Sequence, residues 1–186
     1  MCIRDSGCTD SDGDSWADAL DEYPMDGTQW VDSDSDGYGD NQTGTNPDSC
    51  PSVEGYSEFD RMGCPDADED GYSDPSGDWG TEDGADAFPA RDSQWADSDS
   101  DGFGDNPSPA YLSDDCPSVS GTSTQDLLGC RDSDGDGWSD EGDVFEDDPS
   151  QWMDSDEDGY GDNPYSATVP DHCPTEWGNS TMSLLG

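Results

Sequence analysis

The chain has 186 residues, with 49 acidic side chains against 4 basic ones and a net charge of −45 at neutral pH. That balance excludes nucleic-acid binding, which needs clustered Lys and Arg, and argues against anionic membrane surfaces. Only 27% of the residues are hydrophobic, so no sizeable core can form and folding energy must come from another source, such as metal ions or disulfides.

Charge and hydropathy alone would place the chain among disordered sequences. Against that, 10% of the residues are aromatic, seven of them Trp, and the acids are patterned rather than blocky. In chain order, residues 1–6 come first. Met1 to Asp5, extending to Ser6, reads as translated sequencing adapter (ATG TGT ATA AGA GAC AG) and is set aside. Three tandem units follow: 7–62, 63–128 and a truncated 129–186. Each opens on Gly-Cys (Cys8, Cys64, Cys130) and runs into an acidic loop. An aromatic comes next (Tyr23, Phe88, Phe145), then a Gln-Trp pair (Gln29-Trp30, Gln94-Trp95, Gln151-Trp152). A second acidic loop follows, then Cys-Pro at Cys50, Cys116 and Cys173. Unit two carries about nine extra residues near 75–84, which reads as a surface insertion. No apolar run approaches the ~18–20 residues of a membrane span. No segment has helical spacing and none alternates cleanly enough for a strand, while Gly, Pro, Asp, Asn and Ser punctuate everything. Mostly irregular coil with little regular secondary structure is expected. Trp30, Trp95 and Trp152 are expected to make the local apolar contacts of each unit.

The six acidic loops share one grammar, Asp at the first, third, fifth and ninth places. Loop 1 has Asp10, Asp12, Asp14 and Asp18; loop 2 has Asp32, Asp34, Asp36 and Asp40. Loop 3 has Asp66, Asp68, Asp70 and Asp74; loop 4 has Asp97, Asp99, Asp101 and Asp105. Loop 5 has Asp132, Asp134, Asp136 and Asp140; loop 6 has Asp154, Asp156, Asp158 and Asp162. Like charges about 4 Å apart repel by roughly 4 kcal/mol at an effective dielectric near 20, so something must offset this density of carboxylates. Gly follows the fifth place in every loop but the first, where Ser15 stands. Alternate carboxylates around such a glycine turn are the start of an EF-hand-like calcium loop. The seventh place, where a backbone carbonyl would serve, is always aromatic: Trp16, Tyr38, Tyr72, Phe103, Trp138, Tyr160. Oxygen donors alone, in number, on flexible backbone suit Ca²⁺ better than Mg²⁺, and zinc would want Cys and His, of which His172 is the only His.

The loops depart from an EF-hand in having no flanking helices and no Glu at the twelfth place. Asp21 and Asp143 stand there in loops 1 and 5, and in unit two the insertion displaces the equivalent Asp86. The even-numbered loops have Thr43, Ser108 and Tyr165 at the twelfth place and Asn41, Asn106 and Asn163 at the tenth. Asp48, Asp115 and Asp171, just before each Cys, are the expected source of their missing ligands.

These repeated D-x-D-x-D-G-[aromatic]-x-D loops with intervening Cys resemble thrombospondin type 3 repeats, over nearly the whole chain after Ser6. The resemblance implies calcium-nucleated, disulfide-linked tandem coil in an extracellular or cell-surface protein. It also implies adhesion or spacer roles, with other surface or matrix proteins as partners. Six cysteines besides Cys2 point to an oxidising compartment. The invariant C-x13-C spacing favours Cys50–Cys64 and Cys116–Cys130; Cys8–Cys50, Cys64–Cys116 and Cys130–Cys173 is the alternative. The favoured pairing leaves Cys8 and Cys173 single, their partners falling beyond the two ends of the sequence.

A calcium-binding structural or adhesive repeat region is the favoured function. A disordered acidic polyelectrolyte, buffering cations or binding mineral, is the alternative, but it would need no register of Gly and aromatics. A dockerin-like module is weakened by the lack of helices. No enzyme is expected: every carboxylate pair belongs to a repeated loop, and there is neither a Ser-His-Asp candidate nor a phosphate loop. Asn41-Gln-Thr43 and Asn179-Ser-Thr181 match glycosylation acceptors.

Overall fold

The fold is set by how each acidic loop turns. In all six loops the fourth and sixth residues take left-handed backbone: Gly13, Ser35, Glu69, Ser100, Gly135 and Glu157 at the fourth place, Ser15, Gly37, Gly71, Gly102, Gly137 and Gly159 at the sixth. Five glycines at the sixth place meet that demand without the strain an L side chain suffers there. Ser15 meets it as a non-glycine, at φ 84°.

A computed structural model of the chain describes residues 7–163, 168 and 170–178. Among these the expected irregular coil is found. The one helical element is a 3-10 turn, Thr81–Asp83, and there is no sheet, only isolated bridges. Three of the bridges repeat, joining the eighth residue of each even-numbered loop to a downstream segment: Gly39 to Pro47, Gly104 to Ser113 and Gly161 to Pro170. The chain divides into two compact units, Met1–Ala96 and Asp97–Gly186. Each holds three loops, and between described residues the first carries the Cys50–Cys64 disulfide and the second Cys116–Cys130. Cys173 is free, as expected. Cys8 is not single: it is disulfide-bonded, with its partner outside the described residues.

Each disulfide segment clasps the loop on either side of it. In the first unit the Gly55 amide donates to Asp36 of loop 2 (3.1 Å), while the Glu58 and Phe59 amides both donate to the Gly71 carbonyl of loop 3 (2.9 Å). Asp60 then accepts from the Ser73 amide and hydroxyl. The second unit repeats this with Gly121 on Asp101, Thr124 and Gln125 on Gly137, and Asp126 on Ser139.

What lies inside is polar. Among the described residues the buried hydrophobic ones are Cys64, Ala85 and Cys130, whereas Gln29, Gln94 and Gln151 are 0–1% exposed. Gln29 accepts from the Asn41 amide (3.0 Å) and donates to the carbonyls of Asn41 and Thr45 (3.1 and 3.0 Å), so it fixes the tenth place of loop 2. Gln151 holds Asn163 of loop 6 in the same way. A Cβ at Gly39 or Gly161 would lie 2.2 or 2.0 Å from the Gln side chain. That close approach explains the second glycine of loops 2 and 6, at a place where the odd-numbered loops carry Ala17, Ser73 and Ser139.

The tryptophans after these glutamines are only half-buried. Each stacks on the seventh-place aromatic of the odd-numbered loop in its repeat: Trp16 on Trp30 at 6.5 Å, Tyr72 on Trp95 at 4.9 Å and Trp138 on Trp152 at 6.0 Å between centroids. They make the local apolar contacts expected of them, while the fully buried partner of each pair is Gln. The insertion of unit two folds back on itself through two hydrogen bonds between Ser76 and Trp79, with Arg61 5.4 Å over the Trp79 ring. Because it loops out, Asp86 returns to the position Asp143 holds. Both amides bond the carbonyl of an eighth-place serine at 2.9 Å, Ser73 or Ser139.

Candidate metal centres

The first-place aspartates shape the loops. Asp10 accepts from the amides of Gly13 and Ser15, Asp32 from Ser35 and Gly37, Asp66 from Glu69 and Gly71. Asp97 does so with Ser100 and Gly102, Asp132 with Gly135 and Gly137. Asp154 accepts from Asp158 and Gly159. In loops 1 to 5 the two left-handed residues are thus ones whose amides turn inward onto a carboxylate, and in loop 6 Gly159 is. The fifth-place aspartates accept from the seventh-place amide in every loop, as Asp36 does from Tyr38 at 2.9 Å. These Asx turns bring carboxylate oxygens of the first, third and fifth places within 4.8 Å of one another in loops 1 to 5. In loop 6 Asp156 sits close enough to Asp154 and Asp158 for their charges to raise its pKa, behind the larger effect of its burial.

The ninth-place aspartates face elsewhere. Asp18, Asp40, Asp105, Asp140 and Asp162 each accept from the amide and the hydroxyl of the second-place serine, as Asp40 does from Ser33 at 3.1 and 2.5 Å. Asp74 accepts from the Ala67 amide. They brace the loop against itself, and Ser at the second place, which looks like a spacer in the sequence, is the other half of the brace.

A fourth carboxylate closes each set from downstream. Asp21, Asp86 and Asp143 lie close enough to loops 1, 3 and 5, and Asp48, Asp114 and Asp171 to loops 2, 4 and 6, for the charges to act on one another. All six are at least nine-tenths buried, Asp48 completely. Each accepts from the amide two residues on: Tyr23, Phe88, Phe145, Cys50, Cys116 and Cys173. In the second repeat the closing residue is Asp114 and not Asp115, which is exposed and accepts from the Leu128 amide. The signal was present in the sequence: Asp48, Asp114 and Asp171 all lie two residues before Cys, and their amides all bond the eighth-place carbonyl of the loop they close.

Sixteen buried side-chain polar atoms have no hydrogen-bond partner among the described residues, and all but the Trp79 indole nitrogen are carboxylate oxygens of these six sets. Such groups each carry an uncompensated desolvation cost, larger for a charge. The cost shows in their acidity. Burial first, and then the facing loop carboxylates, push Asp48 and Asp114 up to about 6 and Asp86 up to about 7, against amide hydrogen bonds that act the other way. Asp70 is likewise pushed up to about 6, by burial ahead of Asp68 and Asp66. Oxygen-only sets of four facing carboxylates, with buried oxygens left without partners, fit a hard divalent cation.

Of the two glycosylation motifs, Asn41 is engaged: its amide donates to the Thr28 carbonyl (2.7 Å) and its oxygen accepts from Thr43. Asn179 lies outside the described residues. No helix among the described residues is long and apolar enough to cross a membrane. In comparisons with known proteins, no family model and no curated protein matches the chain.

Proposed function

We propose that this chain is a calcium-binding structural or adhesive repeat region of a secreted or cell-surface protein, built as thrombospondin type 3 repeats are. The observation that carries this reading is the confinement of the buried, partnerless carboxylate oxygens to the six loop sets. A polyelectrolyte that holds cations by charge density alone has no need of buried, partnerless oxygens in every one of six loop sets. Calcium is the cation chosen because it takes 6–8 oxygens in irregular geometry, while Mg²⁺ dehydrates reluctantly and seldom has an all-protein cage. The Cys50–Cys64 and Cys116–Cys130 disulfides support an oxidising, extracellular setting.

Binding of the ion is then folding energy for a chain with almost no apolar core. Six divalent ions add +12 to −45 and leave −33, so the loaded chain remains strongly acidic. Small-angle scattering of the oxidised protein should show compaction by calcium and expansion on adding a chelator. A radius indifferent to calcium would remove this reading and favour the polyelectrolyte.

A further inference from the structure

We propose that the six loops form two alternating classes of cation site, and that the even-numbered loops bind calcium more tightly through a two-oxygen ligand at the third place. This rests on the reading that the loops hold cations.

The difference is in the third-place carboxylate. Asp34, Asp99 and Asp156, in loops 2, 4 and 6, have both oxygens buried and without a partner. The amides of Asp36 and Val53 lie near enough to Asp34 to lower its pKa, as those of Asp101 and Val119 do for Asp99 and that of Asp158 for Asp156, but none meets an oxygen at hydrogen-bond distance and angle. In the odd-numbered loops the third-place carboxylate is already engaged, through one oxygen in loops 1 and 5 and through both in loop 3. The fifth-place amide donates to Asp12, Asp68 and Asp134 at 3.2, 3.3 and 3.2 Å, and Asp68 accepts a second bond from the Arg91 amide at 2.5 Å. In loops 4 and 6 that same amide bonds the first-place carboxylate, Asp97 (3.3 Å) or Asp154 (3.2 Å), while still facing the third.

The fifth place differs in the opposite sense. Asp36, Asp101 and Asp158 each give one oxygen to an amide after the Cys-Pro step, that of Gly55, Gly121 or Gly178. In the odd-numbered loops the corresponding oxygen of Asp14, Asp70 and Asp136 is buried and partnerless. With the closing Asp48, Asp114 and Asp171, each even-numbered loop therefore holds three partnerless buried oxygens, two of them on one carboxylate. Each odd-numbered loop holds two, on separate residues. A carboxylate offering both oxygens raises the coordination number, which suits calcium at six to eight ligands and works against the octahedral demand of magnesium. The closing residues are the independent mark of a ligand here: they are 0–5% exposed, and each has an oxygen with no partner in the protein.

Calorimetric titration of calcium into the oxidised full chain tests this, alone and with excess magnesium. The expected isotherm has a tight phase of three ions and a weaker phase, and magnesium suppresses only the weaker one. The triple variant Asp34→Asn, Asp99→Asn, Asp156→Asn should lose the tight phase, with affinity down at least tenfold. The triple variant Asp12→Asn, Asp68→Asn, Asp134→Asn should keep it. Compaction by calcium, read by scattering on each variant, shows that the chain still folds, and the magnesium arm needs no variant. A single class of sites, equal suppression of both phases by magnesium, or a tight phase that survives the first triple variant would overturn the inference and leave calcium binding standing. Absence of any calcium binding would overturn both.

Discussion

At the scale of single residues the sixth place of each loop sets the clearest demand. A side chain in left-handed backbone costs about 1–2 kcal/mol relative to glycine. Ser15 bears that cost at φ 84°, where the other five loops have glycine. Ser15→Gly should therefore raise the stability of the calcium-loaded chain by about 1 kcal/mol, seen as a higher midpoint in thermal unfolding. Gly37→Ala and Gly102→Ala should each lower it by about 1–2 kcal/mol through backbone strain alone, since a Cβ at either position meets nothing within 4 Å. Gly71→Ala should cost more, because its Cβ would lie 2.5 Å from the Phe59 ring. Equal effects of Gly37→Ala and Gly71→Ala would show that Phe59 yields freely.

At the scale of one loop and its closure, Asp114 and Asp115 make a decisive pair. Adjacent and chemically identical, they differ in placement: Asp114 is 5% exposed with one oxygen partnerless, and Asp115 is exposed. Asp114→Asn should weaken cation binding at loop 4 by at least tenfold, since ligand charge tunes such sites. Asp115→Asn should leave it unchanged, and a titration in which both variants lose equally would mean that net charge alone is being measured. The same pair shows what was legible beforehand. The loop grammar, the coil and the two disulfides could be read from spacing, because left-handed glycines and a fixed C-x13-C interval are local features. The closing residue of loop 4 could not be read by counting from the loop, because the chain between loop and Cys varies in length; it is fixed instead by counting back from Cys. The ninth-place aspartates carry the pattern of ligands, yet Asp40 and its equivalents turn to the second-place serine. The burial of Gln29 and Gln151 cannot be read beside the tryptophans, because it is decided by carbonyls and amides 12–16 residues away, which no local pattern reveals.

At the scale of the whole molecule, the raised carboxylate pKa values make stability depend on pH in a direction set by calcium. Asp48, Asp70 and Asp114 stand at about 6 and Asp86 at about 7 in the metal-free fold, against an ordinary 3.8. Between those values the folded chain holds protons that the unfolded chain has released. The slope of unfolding free energy against pH is then negative. Without calcium, stability is greatest below about pH 4 and is lost as the pH rises through 6 to 7, where buried carboxylates must ionise against one another. Calcium reverses the dependence, because the ion binds the ionised oxygens and protons compete with it below about pH 6. In chelator, the scattering radius should therefore be smaller at pH 5 than at pH 7.5. With calcium, the chain should be compact at pH 7.5, and calcium affinity should fall as the pH drops from 7.5 to 5, with protons released on binding near pH 6. A chelated chain as compact at pH 7.5 as at pH 5 would show that the ionised carboxylates find relief without a cation, and the coupling between metal binding and folding would have to be abandoned.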